Sequence, residues 1–362
     1  MSHLRHPSPA QASRLATART EFAPEAIYLD TATMGLPPRR TVDAVTSALA
    51  RWRSGSDDPR VYDDAVDSSR RSYATMMGVD PSWVAVGAQV SSVIGLAAAS
   101  LPPGSEVLTA TDDHTSVLFP FHAQASRGIR VREVPLERLV DAVDAATSLV
   151  AVSAVQSADG RIADLDGLAA ANAATGVRTL IDTTQAAGWL PIDAARFSFT
   201  TGGGYKWLLA PRGTAFLTVR PEIVPDLVPA AAGWYAGEER WSSSYGSPLR
   251  LARDARRFDV SPAWHAWAGQ DASLRLLAEV GAETLHLHSV SLANRFLAAV
   301  DQPPTDSAIV ALDPDDEVSG ILAKEHIAAA NRNGRLRLSF HVATTEDDVD
   351  RAAAALRGHV RR

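Results

Sequence analysis

The chain has 362 residues, 46% of them hydrophobic and 21% charged, enough to bury a large core and to fill two domains rather than a minimal binding module. A formal charge of -7 and a pI near 5.8, with 35 Lys and Arg residues in no basic block, point away from nucleic acid and toward a small-molecule partner. The absence of cysteine excludes disulfides, cysteine-rich metal sites and a thiol nucleophile supplied by this chain.

In chain order, the first 25 residues lack the charged-then-apolar order of a secretory leader, and no apolar run approaches the ~20 residues that cross a bilayer. The expectation is a cytoplasmic protein with no membrane partner. After a Pro-, Ala- and Ser-rich arm to about residue 20, strand-like and helix-like periods alternate. Strands are expected at 83–86, 106–110, 129–134, 149–154, 178–181, 197–200 and 214–219, and helices at 91–100, 136–146 and 165–175. This alternation predicts an α/β domain with a mainly parallel sheet. Residues 219–257 are rich in Pro, Gly, Trp and Ser and read as a loop-dominated connection. Helices near 263–280 and 283–300 and strands near 307–312 and 335–340 then suit a smaller α+β domain. The expected division is residues 1–29 as an arm or part of the small domain, 30–250 as the large domain and 251–362 as the small domain.

Lysine occurs only at Lys206 and Lys324. Arginine replaces lysine in most surface roles but cannot form a Schiff base, because its guanidinium stays protonated. Lys206 follows Gly202-Gly203-Gly204-Tyr205 and precedes an apolar run, and glycines let backbone pass close to a ligand. The segment reads either as such a site or as a flexible turn before a surface lysine. Asp182 stands at the C-terminal end of an expected strand, where open α/β sheets place ligands. There it either pairs with a pyridinium nitrogen or caps the following turn.

Asp182-Thr183-Thr184-Gln185-Ala186, followed by Tyr205-Lys206 and Gly213, resembles the Asp-x-x-Gln-Ala and His-Lys signatures of class V aminotransferases. Tyr28-Leu29-Asp30-Thr31-Ala32, Arg337-Leu338-Ser339 and Thr344-Thr345-Glu346 resemble family elements in the same order, so the likeness spans residues 27 to 357. It implies a fold-type I enzyme of pyridoxal 5'-phosphate (PLP), with a mainly parallel seven-stranded sheet in its large domain and a smaller α+β C-terminal domain. Lys206 would carry PLP as a Schiff base, Asp182 would face the ring nitrogen and Gln185 the phenolate oxygen.

The same likeness assigns further roles. His114, in Asp112-Asp113-His114-Thr115-Ser116, would stack on the ring and relay protons, although a histidine after a strand also serves structure. Gln89, Val90 and Ser91 would hold the phosphate at a helix start, where Ser91 also reads as a plain cap. Ser261 of a partner subunit would reach that phosphate, implying a homodimer with shared sites. Arg337 would clamp the substrate carboxylate, or else be one of several strand arginines. Three departures stand out: Gly203 where relatives carry serine, Tyr205 where they carry histidine, and Ser157 where asparagine is frequent. The hydroxyls of Tyr205 or Thr201 are candidates to compensate. Trp234, Tyr235, Trp241, Trp264 and Trp267 either line a pocket for a bulky substrate or serve dimer contacts.

Transamination, β-elimination at a carbon-sulfur bond, epimerisation and kynureninase-like hydrolysis all occur among such enzymes. Without cysteine, sulfur transfer through an enzyme persulfide is not expected. A rival reading is a non-catalytic regulatory protein that keeps the fold. A nucleotide-binding protein would need a Gly-x-Gly-x-x-Gly turn or a Walker motif, and neither is present.

Overall fold

A computed structural model describes residues 7–361. Seven strands form the large sheet: β1 (Val84–Gly87), β2 (Glu106–Ala110), β3 (Arg130–Val134), β4 (Thr147–Ser153), β5 (Arg178–Asp182), β6 (Phe199–Gly203) and β7 (Ala215–Val219). Their spatial order is β1-β7-β6-β5-β4-β2-β3, and β7 alone runs against the others. Each lies within a few residues of its sequence expectation.

Most of the strands are short apolar runs because both faces of the sheet are covered, whereas the edge strand β3, Arg-Val-Arg-Glu-Val, is only half-buried. Val84, Val86, Leu108, Val150, Val152, Ile181 and Phe216 face one core, shared with Trp267, Leu274 and Leu277 of helix Trp264–Val280. Their neighbours Ala85, Val107, Leu149, Ala151, Leu180 and Leu217 face the other, beside Ile94 and Val117. The period-2 alternation of strand side chains makes this partition.

Residues 136–146, expected as a helix, form only a 3-10 turn at Leu136–Arg138 followed by further turns. Leu136 and Leu139 still reach the core. The segment is closed by Asp144, whose side chain accepts from the Ala146 amide at 2.9 Å, a competing local bond that ends helical propagation. The N-terminal arm is a helix, Pro9–Arg19, started by a capping box between Ser8 and Gln11 with Pro9 at its first position. Two further helices, Arg39–Ser54 and Val61–Met76, lie outside the elements expected from sequence. Helix Trp264–Val280 packs on both, so its partners belong to the large sheet's side of the molecule although it follows residue 250.

A second, antiparallel sheet orders Ala330–Arg332, Arg335–Ser339, Ile309–Pro314 and Val360–Arg361. Its core takes in Phe296 and Leu297 of helix Ala282–Ala299 and Val349 and Leu356 of helix Glu346–Leu356. Ile27–Tyr28 pairs in parallel with Ile327–Ala328, and Asp30 bridges Ser339. The segment after residue 27 therefore runs from the small sheet toward the large one. No helix among the described residues is long and apolar enough to cross a membrane.

Candidate active site

The C-terminal ends of β1, β2, β5 and β6 lie on one edge of the sheet, and the loops that follow them surround a single cavity. It is lined by Gln89, Val90, Ser91, His114, Asp182, Gln185, Tyr205 and Lys206, together with Ser116, Ser157, Thr184, Gly203, Arg212 and Thr214. Eight residues singled out from the sequence thus meet in one place. Parallel topology makes this possible: each crossover returns the chain so that the six parallel strands end on the same side.

Lys206 is 7% exposed, and its loop is held by close backbone approaches. The Gly35 amide donates to the Tyr205 carbonyl at 2.9 Å, and the Lys206 carbonyl accepts from the Leu209 amide at 3.0 Å. A Cβ on Gly35 would sit 2.0 Å from the Lys206 carbonyl oxygen, and one on Gly188 would sit 2.6 Å from that of Trp207. Burial first, and then the charges of Arg337, Arg332 and Arg212, push the Lys206 amine down to about 8 against the pull of Asp182. Near neutral pH a useful fraction is therefore the free amine.

Asp182 ends β5 and accepts from the Thr184 amide at 2.8 Å, so it does cap the turn that follows. Its carboxyl nevertheless lines the cavity, the only acidic side chain to do so among the described residues. Burial raises it to about 6.

His114 caps helix Thr115–His122, its Nδ1 accepting from the Ser116 amide at 3.2 Å, which leaves Nε2 as the protonated nitrogen of the neutral ring. Partial desolvation and then the charge of Lys206 hold its pKa below the ordinary value. The buried Asp113, not singled out from the sequence as a functional residue, anchors this loop. It accepts from the His114 amide at 2.6 Å, the Ser153 amide at 2.7 Å and the Ser153 hydroxyl at 2.5 Å.

Gln185 is committed on both ends. Its Nε2 donates to the Ala32 carbonyl at 2.9 Å and the Ser157 Oγ at 3.0 Å, and its Oε1 accepts from the Trp207 indole at 2.8 Å. Ser157 Oγ also accepts from Arg337 at 3.2 Å, so its own proton is left to point elsewhere, and Ser157 lines the cavity. The hydroxyl at 157 is thus a donor available where Gln185 is not.

Three further residues named from the sequence stand outside this chain's cavity lining. Arg337 is 1% exposed and does not line the cavity itself; its guanidinium bonds the Ser157 carbonyl at 2.7 Å, Thr33 at 2.6 Å and Asp30 at 3.4 Å, leaving Nε unpartnered. Ser261 is exposed and lines no part of its own chain's cavity. Thr201 cannot compensate at the phosphate, since its buried hydroxyl donates to the Phe216 carbonyl at 2.9 Å within the sheet. None of Trp234, Tyr235, Trp241, Trp264 or Trp267 lines the cavity, and Trp267 and Tyr235 are core residues. Helix Val90–Ser100 starts at Gln89 with no side-chain cap, which leaves its first amides open beside the cavity.

A buried unpaired amine, a facing carboxylate on a strand end and an uncapped helix start define the pyridoxal-enzyme class of α/β fold, and the residues present fit PLP. Gly203 adds no side chain between Thr184, Tyr205 and Val90, where a Cβ would find only ordinary contacts at 3.4–3.5 Å, so room remains there.

Residues 27–323 match the family model for aminotransferase class-V, and the chain belongs to that family. Its cofactor is pyridoxal 5'-phosphate. The isopenicillin N epimerase of Streptomyces clavuligerus is 28% identical, covering 94% of this chain and 96% of its own length. A kynureninase of Deinococcus radiodurans is 27% identical over 79% of this chain and 74% of its own. The fold is shared with a mutant of C-DES described with glycine covalently linked to its PLP-cofactor, at TM-score 0.84 and 20% identity, over 94% of this chain and 99% of that one.

Proposed function

We propose that this chain is a PLP enzyme acting at the α-carbon of an amino acid, as an aminotransferase or a carbon-sulfur β-lyase, with Lys206 as covalent anchor and proton carrier. The observation that carries this reading is the buried Lys206 amine, held near pKa 8 in a cavity that also holds Asp182. When bound, PLP supplies an electron sink that weakens the bonds to the substrate α-carbon. Lys206 Nζ takes and returns the α-proton, a task suited to an amine whose pKa lies near working pH. Asp182, ionised above about 6, holds positive charge on the pyridine nitrogen. His114 covers the ring face as a neutral imidazole, and the open amides at Val90 and Ser91, with the Tyr205 hydroxyl, take the phosphate. Ser157 donates to the ring oxygen, with Gln185 positioning it. Arg337, with only its Nε unpartnered and standing behind Ser157, is the candidate for the substrate carboxylate.

Epimerisation is the second reading, favoured by the Streptomyces relative that matches nearly end to end. We also propose a cytoplasmic homodimer, with the exposed Ser261 completing the partner subunit's phosphate site, and a small domain that begins near residue 282 and is joined by Ile27 and Leu29.

The test is an absorption spectrum of wild type and Lys206→Ala with PLP, then a panel of amino acids and cysteine conjugates with keto-acid, thiol and chirality readouts. A visible band present in wild type and lost in Lys206→Ala establishes the anchor. Its absence from PLP-loaded wild type sinks the reading, and the product decides among transamination, elimination and epimerisation.

A further inference from the structure

Beside the open start of helix Val90–Ser100, the cavity wall is formed by Gly203, which adds no side chain, and by Tyr205. Arg212 stands there too. It lines the cavity with Gln89, Val90, Ser91 and Tyr205, and its guanidinium carbon lies 4.8 Å from the centroid of the Tyr205 ring, within cation-π range.

Among the described residues Arg212 makes no ion pair and no hydrogen bond. Other arginines at the surface pair with carboxylates, as Arg178 does with Asp226, Arg196 with Asp166 and Arg220 with Glu222, whereas the exposed Arg212 has only the Tyr205 ring beside it. Its backbone is nevertheless fixed. The turn Pro211-Arg212-Gly213 is pinned by the Ala210 amide donating to the Gly204 carbonyl at 3.0 Å and the Gly204 amide to the Thr214 carbonyl at 2.9 Å. Gly213 adopts φ 116°, a conformation that favours glycine.

Arg212, the positive end of helix Val90–Ser100 and Lys206 thus gather positive charge around a cavity with a single carboxylate at Asp182. Like charges held this close disfavour one another unless an anion joins them. We infer that Arg212 is a cofactor-binding residue, its guanidinium held by the face of Tyr205 and donating to the PLP phosphate beside the open start of helix Val90–Ser100. A planar guanidinium suits this because it offers two parallel donors to phosphate oxygens. The inference rests on the phosphate lying at residues 89–91.

The experiment measures the affinity of cofactor-free protein for PLP and for pyridoxal, which lacks the phosphate, in wild type, Arg212→Gln and Arg212→Lys. Inorganic phosphate serves as competitor, and circular dichroism checks the fold. Loss of a charge-assisted bond predicts that Arg212→Gln weakens PLP by about 10- to 100-fold. Pyridoxal should stay within about twofold, competition by phosphate should weaken in parallel, and Arg212→Lys should fall between. Unchanged PLP affinity in Arg212→Gln, even with a raised KM for substrate, overturns the assignment. An equal loss for PLP and pyridoxal does so too, since the effect would then not be on the phosphate. The ratio of the two affinities can be read whether or not Lys206 forms its covalent link, so failure here is separable from failure of the anchor.

Discussion

Asp182 and Lys206 are held away from their ordinary ionisation by the same burial, in opposite directions, and each shift has a measurable sign. The Asp182 carboxyl, at about 6 in the fold against 3.8 when free, binds a proton that the unfolded chain has released between those values. Its contribution to stability therefore falls as pH rises through that window. Asp182→Asn keeps an acceptor for the Thr184 amide without the buried charge. Urea unfolding of the cofactor-free variant at pH 8 should show a gain of about 1–3 kcal/mol, absent below pH 4, alongside a loss of turnover of at least about 100-fold. An unchanged unfolding midpoint at pH 8 would show that the carboxylate is not strained by burial. The Lys206 amine, near 8 rather than 10.5, should capture PLP at a rate that climbs with pH to a midpoint near 8 in stopped-flow absorbance. A midpoint near 10 would place that amine in contact with solvent. At this scale the residues were legible from type and order: two lysines in the chain made Lys206 conspicuous, and Asp182 stood at a strand end. Arg212, Asp113 and Ser157 were not, because an unpaired guanidinium, a buried anchor and a hydroxyl freed to donate are properties of neighbours rather than of residue type.

Among the elements, the glycine run before Lys206 separates into members with different reasons. A Cβ on Gly204 would meet Gln270 Oε1 and Thr214 Oγ1, each at 2.0 Å, in the place where Thr214 donates to Gln270 at 2.8 Å. Gly204→Ala should lower the denaturant midpoint by the equivalent of about 2–3 kcal/mol. Gly203→Ser meets only ordinary contacts and should leave the midpoint within about 0.5 kcal/mol, with PLP held at least as tightly. A reversed order of the two would refute this packing account. Most large-sheet strands could be placed from sequence because they are short apolar runs bounded by turn residues, too short for buried helices. Residues 136–146 show the limit: Leu136, Leu139, Val140 and Val143 keep a helical spacing, yet the local bond from Asp144 ends the segment in turns. Conversely, the Pro-, Ala- and Ser-rich start concealed a capped helix whose Leu15 and Ala18 are buried against the rest of the fold.

For the whole molecule, the connection after β7 reaches back to the sheet edge through a buried ion pair. Asp259, fully buried, takes two bonds from Arg70, at 2.7 and 3.2 Å, and accepts from the Val86 amide at 2.8 Å, three residues before Gln89. Asp259→Ala would strand the Arg70 charge in the core and free the end of β1. It should cost about 3–5 kcal/mol in urea unfolding and weaken PLP as well, whereas a loss below 1 kcal/mol would mean that water replaces the carboxylate. The segment from Leu29 to Gly35 ties the units in a similar way, through the Ser339 amide donating to the Leu29 carbonyl at 2.8 Å and Gln185 donating to Ala32. Composition, strand periods and the ordered motifs sufficed for the α/β class and the pyridoxal family and named eight residues that line one cavity, since each rests on local pattern or on residue chemistry that travels with the chain. The tertiary structure alone decided that Gln185 is already committed, that Thr201 and the aromatic cluster stand outside the cavity, that helix Trp264–Val280 packs with the large sheet, and that Arg212 lines the cavity beside Tyr205. Each of these depends on which segments distant in sequence come within bonding distance, and no local period encodes that.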